Sequence, residues 1–149
     1  MGASTFLLIG LTVFLALGAV AVTAALPKHL RAIFVYGQLV LIVGIYVGFS
    51  IYALDNANFI TRADWSALLM DGLIAVAFMG AGLFALSSNR YWLLGIFILL
   101  HGAIDLGHLI VGGSAPALYG FLCIIFDGVA GPAYVWLFIR NSSENTTVH

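Results

Sequence analysis

Five long apolar stretches, separated by short polar connections, restrict this chain of 149 residues to one class of fold. Each stretch reaches the roughly 20 residues that a helix needs to cross the hydrocarbon core of a bilayer. Lipid offers no hydrogen-bond partners, so a single spanning segment must satisfy its own backbone groups, and each stretch is therefore predicted to be helical. The predicted spans are about residues 3–26, 32–54, 65–87, 91–111 and 118–139.

The scarcity of charge supports the same class. Charged residues make up 7% of the chain, whereas a water-soluble domain carries roughly 25%. We therefore predict an all-α polytopic membrane protein, with residues 1–140 as one five-helix domain and residues 141–149 as a polar tail. The formal net charge of −1 provides no basic surface for binding nucleic acid. Because its apolar stretches would lie in the membrane, the expected partner of the chain is the lipid bilayer.

Basic residues predict the orientation of the helices. Four of the five basic side chains fall on one side of the predicted membrane, namely Lys28, Arg31, Arg90 and Arg140, and only Arg62 falls on the other. Because basic residues concentrate in cytoplasmic loops, we expect the N-terminus outside and the C-terminus inside. The predicted location is the cell membrane, which in a bacterium is the inner membrane. A cleaved signal peptide is the alternative for the first stretch, although no basic residue precedes it.

Ionisable side chains within the predicted spans are the main functional signal. Such groups are costly at membrane depth and usually face the bundle interior or a wet cavity. His101, Asp105 and His108 share one face of the fourth helix, at spacings of four and three residues. Asp71 and Asp127 lie at comparable depths in the third and fifth helices. We predict that the five side chains converge on one pocket, with His101, Asp105, Asp127 and Asp71 as candidate catalytic residues.

A metal ion is an alternative use of the same helix face. Imidazole and carboxylate together suit zinc and similar divalent ions, so His101, Asp105 and His108 form a candidate metal-binding set. The identity of any cofactor stays open, with a divalent ion as the candidate. Retinal is excluded because no Lys lies within a predicted span. Haem held by two histidines and membrane di-iron centres are excluded by the number and placement of the histidines.

The polar residues of the fourth and fifth stretches occur in a distinctive order. They read His101-x-x-x-Asp105-x-x-His108 and then, after a short linker, Tyr119-Gly120-Phe121-x-Cys123-x-x-Phe126-Asp127. Between about Gly95 and Asp127 the chain resembles a family of small bacterial multipass membrane proteins of unknown function. The resemblance implies a shared site made from His101, Asp105, His108 and Asp127. Because the function of the family is unknown, the resemblance does not indicate which activity this site has. Ile104 departs from the family, in which an aromatic residue usually stands at that position.

Two function classes stay open from the sequence. In the first, the protein is an enzyme that performs acid/base or metal-assisted chemistry on a lipid or isoprenoid-like substrate arriving sideways from the bilayer. In the second, the polar residues bind a proton or an ion in a transporter, a sensor or a subunit of a membrane complex. Five helices are few for an alternating-access carrier, so transport would require a homo-oligomer. A purely structural polar network is the remaining alternative.

Overall fold

The structure, a computed structural model, describes residues 3–55, 62–111 and 115–144. Within these ranges the chain forms five α-helices: α1 (Ala3–Ala25), α2 (Lys28–Asp55), α3 (Arg62–Ser87), α4 (Trp92–Val111) and α5 (Ala117–Glu144). All five are long and apolar enough to cross a membrane, which confirms the predicted polytopic all-α fold. Large apolar side chains are exposed on every helix, as expected for a surface that faces lipid chains rather than water.

The connection between α1 and α2 is tighter than the sequence predicts. Lys28 already begins α2, whereas the apolar pattern places the start at Ala32. Arg31, expected in a loop, lies in the first turn of α2, and its guanidinium donates hydrogen bonds to the carbonyls of Ala24 (2.7 Å) and Leu26 (2.9 Å). Carbonyls at a helix C-terminus lack partners within the helix and carry partial negative charge. Arg31 therefore caps α1 and fixes the direction in which α2 leaves it.

Two further helices extend beyond their predicted apolar boundaries. α3 begins at Arg62 rather than Trp65, and α5 continues to Glu144 rather than ending near Ile139. A helix that leaves the hydrocarbon continues at little cost when no proline or glycine interrupts it. The predicted polar tail at residues 141–149 is therefore helical in its first part.

The turn between α3 and α4 is a Schellman motif, a helix end closed by a left-handed residue. Asn89 has a φ of 55°, a conformation that Asn tolerates better than most side chains do. The amide of Arg90 donates to the carbonyl of Ala85 (2.9 Å), and the amide of Asn89 donates to the carbonyl of Leu86 (3.2 Å). The Tyr91 hydroxyl donates to Oδ1 of Asn89 at 2.6 Å. This hydrogen-bonded turn ends α3 and reverses the chain into α4.

Helix α5 is the principal packing partner of both α4 and α1. The contact between α4 and α5 is the most extensive, followed by α2 with α3 and α1 with α5, and α4 also contacts α2 and α3. Gly95 and Gly131 allow the close approach of α4 to α5, because a Cβ on Gly95 would lie 2.7 Å from the carbonyl oxygen of Gly131. Helix α4 thus has three neighbours, and its polar face is enclosed by them.

Hydrogen bonds between side chains link the helices near the α1–α2 turn. The hydroxyl of Tyr134, which is fully buried, donates to Oε1 of Gln38 at 2.8 Å. The Thr23 hydroxyl lies 3.5 Å from the Tyr134 oxygen and also bonds within its own helix. These contacts connect α1, α2 and α5. By contrast, α1 contacts α2 only slightly elsewhere, which leaves a gap between them.

Candidate functional site

Three ionisable side chains meet in the interior of the bundle, where α4 packs against α5. His101 and Asp105 lie one turn apart on α4, and Asp127 faces them from α5. The Nδ1 atom of His101 lies 2.9 Å from Oδ2 of Asp127 and 3.4 Å from Oδ2 of Asp105. The exposed fractions are 2% for His101 and 0% for each aspartate. We refer to these three residues as the His–Asp–Asp cluster.

Gly102 makes room for the cluster. A Cβ at this position would lie 3.0 Å from the Cβ of Asp127, closer than side chains normally pack. With glycine at residue 102, α5 can bring the Asp127 carboxylate within hydrogen-bond distance of His101. Gly102 thus contributes to the site, because it lets α4 and α5 approach closely enough to bring His101 and Asp127 together.

The cluster contains more hydrogen-bond acceptors than donors. One imidazole N–H at Nδ1 can donate to only one carboxylate at a time. Both oxygens of Asp105 and Oδ1 of Asp127 have no hydrogen-bond partner within the described ranges. The Tyr46 hydroxyl faces Asp105 but does not meet the geometry of a hydrogen bond. Because a buried acceptor without a partner costs about 1–3 kcal/mol, we expect a proton, a water molecule or an ion to complete the cluster.

Asp71 and His108 form a second polar group, closer to the end of the bundle where α4 connects to α5. Nε2 of His108 lies 3.8 Å from Oδ1 of Asp71, and the Ser50 hydroxyl donates to the other carboxylate oxygen. His101 and His108 share a helix face but are separated by seven residues, or about 10 Å along the axis. The structure therefore brings His101 and Asp105 together with Asp127, and His108 together with Asp71.

Tyr46 of α2 lies between these two groups. Its ring centroid is 5.5 Å from that of His101, 5.2 Å from that of His108 and 6.0 Å from that of Tyr119. Neither Tyr46 nor Ser50 is among the site residues predicted from the sequence. The available signal was depth: tyrosine in a membrane helix usually lies at an interface, whereas Tyr46 lies well inside the second span.

A mainly apolar cavity of about 310 Å³ reaches the cluster from the side of the bundle. It lies between α1, α2 and α5, in the gap left by the slight contact of α1 with α2. Asp127 lines it, with Tyr119 and Cys123 on the same helix. Leu15 and Leu41, which also line it, are 55% and 64% exposed, so the cavity reaches the outer surface of the bundle. We name it the lateral cavity.

A second cavity, of about 230 Å³, lies at the end of the bundle where α4 connects to α5. Its polar lining consists of Tyr46, Asp105 and His108, and its remaining wall is formed by Leu109, the residues just before α5 and the beginning of α5. We name it the end cavity. Asp105 faces the end cavity and Asp127 faces the lateral cavity, so the His–Asp–Asp cluster separates the two spaces.

This arrangement defines what the site can do chemically. An imidazole between two buried carboxylates can exchange a proton with a bound molecule, or the three groups can hold a cation that polarises it. A molecule in the lateral cavity meets Asp127, whereas a polar solute in the end cavity meets Asp105. Comparisons of the chain with protein-family models, with curated proteins and with solved structures find no match.

Proposed function

We propose that this protein is a membrane-embedded enzyme that acts on a lipid or isoprenoid-like molecule at the His–Asp–Asp cluster. The observation that carries the proposal is the lateral cavity, whose wall is mainly apolar and includes the carboxylate of Asp127. Small-molecule sites span about 300–1,000 Å³, so this cavity suits the polar end and the first part of a long chain. The remainder of the chain would extend into lipid past Leu15 and Leu41.

The residues around Asp127 support chemistry at that polar end. His101 lies within hydrogen-bond distance of Asp127 and also faces Asp105. Of the three residues, Asp127 is the one that lines the lateral cavity, so it is the group that contacts the substrate. His101 and Asp105 position the Asp127 carboxylate and balance its charge. Exclusion of water strengthens each of these electrostatic interactions. Acid/base and metal-assisted reactions both use the same three side chains.

Ion or proton binding, in a transporter, sensor or complex subunit, is a second candidate function. The end cavity favours it, because Tyr46, Asp105 and His108 line that space and Asp71 pairs with His108. Polar groups thus extend from the end of the bundle to the cluster. Under this function the lateral cavity would hold no specific molecule. Retention of such a molecule therefore distinguishes the two candidates.

Native mass spectrometry of the purified protein tests the enzyme proposal. Leu122 lines the lateral cavity, whereas Leu118, one turn earlier on α5, is 56% exposed and lies outside it. We expect Leu122→Trp to lose an apolar molecule that co-purifies with the parent protein and with the matched control Leu118→Trp. Asp127→Asn should retain the molecule but lose its chemical conversion. The proposal is refuted if the parent and both tryptophan variants carry the same lipids in the same amounts.

A further inference from the structure

We infer that the His–Asp–Asp cluster binds one divalent cation of the Zn²⁺ or Mn²⁺ type, with His101, Asp105 and Asp127 as its protein ligands. The inference goes beyond the proposed function, because it does not depend on what occupies the lateral cavity. Three observations carry it: the distances between the donor atoms, the balance of charge, and the buried carboxylate oxygens that accept no hydrogen bond from the described residues.

The imidazole donor lies at a ligand-like distance from each carboxylate of the cluster. With metal–ligand bonds of about 2.1 Å, neighbouring donor atoms in tetrahedral or octahedral sites lie about 3.0–3.4 Å apart. Nδ1 of His101 lies 2.9 Å from Oδ2 of Asp127 and 3.4 Å from Oδ2 of Asp105. One donor atom from each of the three residues lies within 4.8 Å of the others. Two of the three separations thus match a single ion, and a small movement of the carboxylates would bring all three donor atoms to it.

Charge balance favours a cation with two positive charges. Two ionised carboxylates and a neutral imidazole carry a formal charge of −2, and the three residues are at most 2% exposed. Unbalanced charge inside a membrane protein is costly. A divalent ion brings the sum to zero while leaving Nδ1 of His101 free of a proton, which is the form that binds metals.

The buried carboxylate oxygens that accept no hydrogen bond from the described residues are an independent sign of a ligand. Asp105 is fully buried, lines the end cavity, and has no hydrogen bond at either carboxylate oxygen within the described part of the chain. A bound cation would satisfy one of these oxygens. The Tyr46 hydroxyl, which faces Asp105, is then positioned to donate to the other. Hydrogen bonds of this kind commonly orient the carboxylates that bind metals.

The mixture of donors selects the class of ion. Mg²⁺ and Ca²⁺ prefer sites made of oxygen atoms, whereas an imidazole with carboxylates suits Zn²⁺ and related transition ions. Three protein ligands leave at least one coordination position open, as in catalytic rather than structural zinc sites. A hydrated ion can approach through the end cavity, where Asp105 and His108 supply polar groups.

Metal titration of the whole protein provides the test. The protein is purified without a polyhistidine tag, stripped with a chelator and titrated with Zn²⁺, Mn²⁺ or Co²⁺ alone. We expect the parent to bind about one ion per chain, as three-ligand sites do. Asp105→Asn and Asp127→Asn should lose this binding. Asp71→Asn, which changes a buried acid outside the cluster, is the matched control and should bind as the parent does.

Two further measurements support the assignment of ligands. Tyr46→Phe should keep the stoichiometry and weaken affinity about 10–100-fold, the usual effect of losing a group that orients a metal ligand. The Co²⁺-loaded parent should show visible absorption and magnetic coupling to a single nitrogen ligand. This spectroscopic result does not depend on whether any variant folds.

Several outcomes would overturn the inference. The first is that the parent protein binds no ion in stoichiometric amount. The second is that the Co²⁺ complex shows no nitrogen ligand or more than one. The third is that a folded Asp105→Asn variant binds the ion as tightly as the parent does. Loss of the ion in Asp71→Asn with retention in Asp105→Asn would place the site at His108 instead and would also overturn it. The experiments can tell a failure of the lipid proposal from a failure of the metal inference. Leu122→Trp blocks the lateral cavity but leaves all three metal ligands in place, whereas Asp105→Asn removes a metal ligand that does not line this cavity.

Discussion

Replacing Gly95 by alanine tests whether direct backbone contact sets the distance between α4 and α5. The added Cβ would lie 2.7 Å from the carbonyl oxygen of Gly131, 2.7 Å from the amide nitrogen of Val135 and 2.8 Å from a methyl group of Val135. Two of these three atoms belong to the backbone and cannot rotate away. The steric clash can therefore be relieved only if α4 and α5 move apart, and their contact is the most extensive in the bundle.

Two opposing effects determine the expected change in the free energy of unfolding. Inserting a methyl group into a well-packed interior costs about 1–3 kcal/mol. Alanine stabilises a helix relative to glycine by about 0.8–1.0 kcal/mol, which offsets part of that cost. The net expectation is that Gly95→Ala lowers the free energy of unfolding by about 0–2 kcal/mol.

Unfolding of the parent and the variant in the same detergent measures this change. Gly107→Ala is the matched control, because it lies on the same helix and its Cβ would meet no described atom within 4 Å. It should leave stability unchanged or raise it by up to about 1 kcal/mol. If Gly95→Ala proves as stable as Gly107→Ala, close backbone contact does not set the helix spacing and the reasoning is wrong.

Three further predictions concern the turn, the core and the topology. Asn89→Ala should destabilise the protein by about 1 kcal/mol because of its positive φ, whereas Asn89→Gly should not, and equal results in chemical unfolding would contradict this explanation. Tyr134→Phe removes the hydrogen bond to Gln38 and should cost about 0.6 kcal/mol in the same assay, so an unchanged stability would argue against this bond. A reporter fused after Val148 should be cytoplasmic and one inserted at residues 56–63 external, and the reverse pattern would overturn the predicted orientation.

The membrane fold could be predicted because the bilayer fixes both the length of a helix and the need to satisfy its backbone. Helices α1 and α4 accordingly have almost the bounds that their apolar stretches predict. Helix ends were harder to predict, since an apolar pattern shows where the hydrocarbon ends rather than where the helix ends. Arg31 illustrates the difference: its charge suggested a loop, yet it lies in a helix and caps the preceding one.

The candidate site could be predicted only in part. The proximity of His101 to Asp105 follows from their four-residue spacing, and the structure shows it. The pairing of Asp127 with His101 depends on which face of α5 meets α4, and no periodicity within either helix determines that. Spacing likewise placed His108 on the correct face without showing that its partner would come from α3. Tyr46 was missed because an aromatic residue in an apolar helix resembles ordinary packing.

The central place of α5 has a consequence for how the protein is made. α1 and α4 both pack mainly against α5, which is the last of the five helices to be synthesised. Until it inserts, the α4 segment must reside in the membrane without Asp127, and its Asp105 then costs up to about 2.5–3.5 kcal/mol, the value for an aspartate at the centre of a spanning helix. A nascent chain that stops before Ala117 therefore exposes an acid that the finished protein encloses.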